Sequence, residues 1–123
     1  MRNAAQAYQA VAKQTSNPRA LESDLLLKAA ARLKAVQDNW DKSRPDLRHA
    51  LLYNRRLWTV FLTSVTNQQH PLPQAVRQNI ANLGVYVMYE SVACMSDPNA
   101  DKRLTTLINI NRELAAGLRA GGA

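Results

Sequence analysis

Few side chains in this sequence could do chemistry, and their spacing limits what they could do. There are two histidines, His49 and His70, and neither stands beside a carboxylate at the spacing of a metal-ligand set. No metal site is expected. The single cysteine, Cys94, lies on an apolar stripe near Met88, Ala93 and Met95, the setting of a buried small hydrophobe rather than an activated nucleophile. Ser64 and Ser91 fall within apolar-periodic segments with no histidine to act as base. Nine carboxylates are scattered, mostly in first and last turns, where capping and solvation account for them. No glycine-rich phosphate loop is present. These residues point away from an enzyme, and no cofactor is expected.

The unusual positions are two amides. Around Asn54-Arg55-Arg56-Leu57-Trp58, the apolar residues Leu47, Leu51, Trp58, Phe61 and Val65 recur at helical spacing, and Asn54 splits their longest gap. Near the C-terminus, Leu104, Leu107, Leu114 and Leu118 form a second seam, interrupted by Asn111. Each amide can pair inside a bundle and fix register, or line a groove and hold a partner's backbone. The first reading is favoured, because a buried amide without a partner is costly. Trp58, on the seam, is read as core. Arg48, Arg55 and Arg56 beside Tyr53 are candidates for a basic-aromatic binding surface, set against a solvated face whose arginine stems cover apolar rim. Lys28, Arg32 and Arg44 would extend that stripe.

The elements that position these residues are marked by prolines. Pro18, Pro45, Pro73 and Pro98 each follow a polar turn and open an apolar-periodic segment, as suits a residue tolerated at the first helical position. Asn17 and Asp97 stand as N-caps, and Ser43 with Asp46 resembles a capping box. The spacing predicts four helices at roughly 18–41, 45–69, 73–96 and 98–119. The first offers Leu21, Leu25, Ala29, Leu33, Val36 and Trp40 to the core. The third offers Val76, Ile80, Leu83, Val87 and Cys94, with Gly84 where a neighbour can approach closely. Ala4 to Gln14 reads as a short alanine-rich helix with Tyr8 and Val11 on one stripe, stable only if it docks. Nothing alternates at period two. Short connections force neighbours to run antiparallel. The expected fold is all-α: an antiparallel up-down-up-down four-helix bundle with an additional short N-terminal helix, one domain over 1–123 with a frayed tail at 120–123.

Composition agrees. Hydrophobic residues make up 46% of the chain, enough for one sizeable core in 123 residues. A formal charge of +7 favours acidic partners of any kind, whether nucleic acid, membrane surface or protein. One cysteine fits a reducing compartment, Met1 to Lys13 lacks a secretion-signal core, and no apolar run spans a bilayer. A cytoplasmic protein without membrane insertion is expected.

Five segments then occur in a telling order: Ala7-Tyr8; Pro18-Arg19-Ala20-Leu21-Glu22; Asn54 to Trp58; Leu72-Pro73 through Arg77-Gln78-Asn79-Ile80; and Leu107 through Asn111-Arg112-Glu113-Leu114 to Leu118. Over about residues 5 to 118 this order and spacing resemble the flagellar biosynthesis regulator family FlaF. Ala20 stands where that pattern has an acidic residue, and the chain is unusually basic. The resemblance implies a small cytoplasmic protein needed for flagellin production and export. It implies binding to unassembled flagellin in a secretion-chaperone role, and action alongside the opposing regulator FlbT. A bundle without catalytic groups suits such a role, because flagellin's terminal segments are amphipathic and a helix-in-groove mode would shield them. The partner-binding candidates are then Tyr8, Val11, Tyr53, Arg55 and Arg56, with the N-terminal helix bordering or covering an apolar groove. The competing class is an RNA-binding regulator of the flagellin transcript. Charge favours it, but no stacking aromatics on a sheet or recognised loop accompany that charge.

Overall fold

A computed structural model describes residues 17–121, so the predicted helix over 4–14, with Tyr8 and Val11, lies outside the described residues. Helix α1 runs Pro18–Asp38, with Pro18 in its first turn and the Asn17 side chain accepting the Ala20 N–H at 3.2 Å. It does not reach residue 41. Asn39 leaves helical geometry at φ −127°, ψ 49°, and the chain turns through the short α2, Trp40–Ser43, and a 3-10 turn, Arg44–Asp46. Pro45 sits in that turn, and neither Ser43 nor Asp46 makes a side-chain cap, so the expected capping box is not formed. Helix α3 is Leu47–Val65, α4 is Gln74–Ser96 and α5 is Asp101–Gly121.

Two ends differ from the sequence expectation for local reasons. Helix α3 stops four residues short of 69 because the Arg77 guanidinium donates to the carbonyls of Val65, Asn67 and Leu72, satisfying its last turn and the loop that follows. Helix α5 starts beyond Pro98 because Asp97 turns its carboxylate onto the Asn99 N–H at 2.8 Å, closing an Asx turn instead of capping a helix. The first helical carbonyl there belongs to Ala100, which accepts from the Leu104 N–H. At its far end α5 continues to Gly121, past the predicted 119.

The four long helices form an up-down-up-down bundle, with no strand among the described residues. Helices α1 and α5 are antiparallel and latched at both ends. Ser23 Oγ donates to the Ala115 carbonyl at 2.9 Å, and Gln37 Nε2 to the Asp101 carbonyl at 2.6 Å. Helices α3 and α4 meet at Gly84, where a Cβ would stand 2.5 Å from Leu62 Cδ2. Only a residue without a side chain lets them approach so closely. Trp58 is the largest fully buried side chain among the described residues, tilted against Phe61 and part of one core with Leu26, Leu33, Leu51 and Leu107.

The predicted seams of α1 and α4 hold in part: Ala29, Leu33 and Val36 on α1 and Ile80, Val87 and Cys94 on α4 are buried. On α1, Leu26 and Ala30 are fully buried while Leu21 and Leu25 are only half-buried. On α4, the core side is Ile80, Gly84, Val87, Ser91 and Cys94; Val76 and Leu83, predicted to face inward, are exposed. The heptad steps through Val76 and Leu83 follow one edge of the helix rather than its centre.

Candidate functional site

The two seam amides are fully buried and joined. Asn111 Nδ2 donates to Asn54 Oδ1 at 2.7 Å and reaches the Leu26 carbonyl at 3.4 Å, while Asn111 Oδ1 accepts from Trp58 Nε1 at 2.9 Å. One side chain on α5 thereby ties α1 and two residues of α3. Asn54 Nδ2 has no hydrogen-bond partner among the described residues. This cluster is sealed inside the core, so it sets helix register and offers nothing to a partner.

The surface tells a different story. Most of the large exposed hydrophobes among the described residues lie on α4: Val85, Tyr86, Tyr89, Val92 and Met95 on its outer side, with Val76 and Leu83 on a separate edge. Tyr89 keeps 76% of its surface and Val92 57%, values that in a helix denote side chains standing clear of every neighbour. Only two of the 23 residues of α4 are charged, and both are engaged. Arg77 holds the α3–α4 loop, and Glu90 pairs with Arg103 of α5 at 2.9 Å. The outer side of the C-terminal half of α4 is thus an uncharged apolar stripe about 15 Å long from Val85 to Met95, of the kind that marks an interaction surface, and nearer the N-terminal end the same side is polar with Gln74, Gln78 and Asn82.

Its two edges are unlike. On the α5 side Arg103 bridges Glu90 and Asp97, so the charges there are matched. On the α3 side stand arginines without carboxylates. Leu62 packs on Gly84, and Arg55 and Arg48 follow it at seven-residue steps, which puts all three on the edge of α3 nearest α4. Arg56 points outward. Tyr53 faces the other way, half-buried toward α1, with the Arg32 guanidinium 4.2 Å from its ring centroid. The predicted cluster of Tyr53, Arg55 and Arg56 is therefore divided among three directions.

Sequence reasoning also missed a polar cluster at the end of the bundle where α1 begins. Glu22 is 1% exposed and Arg19 8%, and Arg19 Nε stands 2.7 Å from Glu22 Oε1 in an ionic contact rather than a directed hydrogen bond. Arg19 Nη1 lies 3.1 Å from His70 Nε2, and the Leu72 N–H points at His70 Nδ1. A neutral imidazole accepts at one nitrogen only, so the ring satisfies one of these donors; protonated, it would satisfy neither. Desolvation first, then Arg19 and Arg77, hold the His70 pKa below its usual 6.5. The sign follows. The folded state binds fewer protons than the unfolded one, so this stability is full above pH 6.5 and is lost as pH falls through the lowered folded value. Denaturant midpoints should therefore drop between neutral and mildly acidic pH, and His70→Gln should flatten that drop. An unchanged slope in the variant would remove His70 from the account.

Cys94 is fully buried, and its thiol is pushed up to about 11, first by burial and then by Glu90, so it stays protonated and unreactive near neutrality. Among the described residues no group of three or more side chains could hold a metal ion, and no helix is long and apolar enough to cross a membrane.

Fold and surface together define a helical bundle whose most exposed feature is an apolar helix face. The chain belongs to the FlaF family of flagellar proteins, whose sequence model matches residues 4–118. No curated protein and no solved structure matches it.

Proposed function

We propose that this flagellar protein works by binding rather than catalysis, as a cytoplasmic chaperone that holds unassembled flagellin for export. The observation carrying this reading is the outer side of α4, an apolar stripe with no unpaired charge and with Tyr89 and Val92 projecting into solvent. A stripe of that length suits one amphipathic helix laid along it, the mode by which disordered amphipathic segments are shielded. The opposing regulator FlbT is a second protein partner on the same reading.

Calorimetric titration of purified flagellin into the full chain tests it, alongside a Tyr89→Ser/Val92→Ser variant and a chain lacking residues 1–14. The full chain should bind, with little change on raising salt, and the serine variant should bind at least about tenfold more weakly, as expected for losing two central apolar contacts. Truncation should leave affinity equal or tighter if the N-terminal segment only covers the surface. No binding by the full chain, together with salt-sensitive binding to flagellin transcript, would replace this reading with the RNA one.

A further inference from the structure

We infer that the segment seated on α4 is an amphipathic helix with carboxylates along one edge, set against Arg48 and Arg55 of α3. This rests on α4 being the partner surface. The span from Leu47 to Tyr89 contains no acidic residue, and neither do residues 1–16. Arg48, Arg55 and Arg56 are exposed, and none has a carboxylate partner among the described residues. Arg112 of α5 is also exposed and unpaired among the described residues, whereas Arg32 lies on Tyr53, Arg44 on Trp40, Arg77 on carbonyls and Arg103 on Glu90.

The register places the free pair along the apolar stripe. From the crossing of Leu62 with Gly84, seven residues back on α3 and seven forward on antiparallel α4 bring Arg55 level with Ser91 and beside Val92. Arg48 lies two turns further, toward Met95. Their separation along the helix is about 10.5 Å, so a partner helix meets both with carboxylates at positions i and i+7. The α5 edge offers no such preference, because Arg103 already joins Glu90 and Asp97. Apolar contact would supply the affinity, and the one-sided charge would fix orientation and on-rate. A second copy of the chain seated through its own α4 fits poorly, since it sets +7 against +7 and the one carboxylate of α4, Glu90, is already paired with Arg103.

The test uses the full chain and three synthetic amphipathic helical peptides sharing one Leu/Val stripe. Their i and i+7 flank positions carry Glu, Gln or Lys. Fluorescence anisotropy at roughly 50 mM salt should show the Glu peptide binding about tenfold tighter than the Lys peptide. Arg48→Gln/Arg55→Gln should erase that preference and leave the Gln peptide unchanged. Tyr89→Ser/Val92→Ser should weaken all three. Equal affinity for all peptides would overturn the inference, as would self-association of the chain through α4 or Glu preference surviving the arginine changes. The two readings fail separately. Flagellin binding through Tyr89 and Val92 with no effect of the arginine changes removes only the charged edge. Glu-peptide preference without flagellin binding removes only the chaperone assignment.

Discussion

Asn111→Ala is expected to lower the stability of the bundle by roughly 3–5 kcal/mol, whereas Asn54→Leu should leave it nearly unchanged or raise it. The two amides are partners in one hydrogen bond, yet their places in the network are unequal. Asn111 accepts from Trp58 Nε1 and donates to both Asn54 Oδ1 and the Leu26 carbonyl. Truncating it strands the indole N–H and the Asn54 oxygen in a site with no access to solvent, and each stranded group costs about 1–3 kcal/mol. A cavity at the centre of the bundle adds to this. Asn54 only accepts, and its Nδ2 has no partner among the described residues, so leucine removes one buried unsatisfied donor while leaving one Asn111 N–H unpaired, and the two effects offset each other. What Asn54 contributes is helix register, and its loss should appear as broadened side-chain NMR signals rather than a lower midpoint. Urea unfolding of both variants checks the pair. Equal losses at the two positions would mean that the hydrogen bonds are shared differently from this geometry.

The seam amides were legible in the sequence because the heptad pattern leaves them where a hydrophobe belongs. What they join was not, since Leu26 and Trp58 converge on Asn111 only after three helices have docked. The outer side of α4 was hidden for the opposite reason. The C-terminal half of that helix is apolar on its outer as well as its inner side, so periodicity there does not separate the two, and Val76 and Leu83 fall on the edge of the face that Ile80, Val87 and Cys94 define. Glycine and serine at positions 84 and 91 mark its true core side, because close helix approach favours small residues. Arg55 and Arg56 are neighbours in sequence and lie on different sides of α3, a consequence of the helical turn between them. Pro98 has the flanking pattern of a helix start, but the Asx turn of Asp97 competes for the same donors.

Arg19 and Glu22 are the clearest case of structure overruling local pattern, and they give the second large effect. In sequence they form an ordinary i,i+3 charged pair near the start of a helix. In the bundle they are covered by neighbouring chain, with Arg19 against His70 of the α3–α4 loop and Ser23 fastened to Ala115 of α5. Glu22→Ala should cost roughly 3–5 kcal/mol, because it leaves a nearly buried guanidinium without its carboxylate. Arg19→Met/Glu22→Leu should cost much less than either single change, since replacing a buried pair with hydrophobes of similar volume also removes its desolvation penalty. The expected coupling between the two positions is therefore large, and a double-mutant cycle in urea measures it. Without Glu22 no carboxylate offsets Arg19 beside the His70 ring, so protonating that ring sets two cations together and Glu22→Ala should be more damaging in mildly acid solution than at neutrality. Additive single losses, or a Glu22→Ala variant as stable as the parent at both pH values, would show that the ion pair contributes nothing and that this end of the bundle is held by Ser23 and α5 alone.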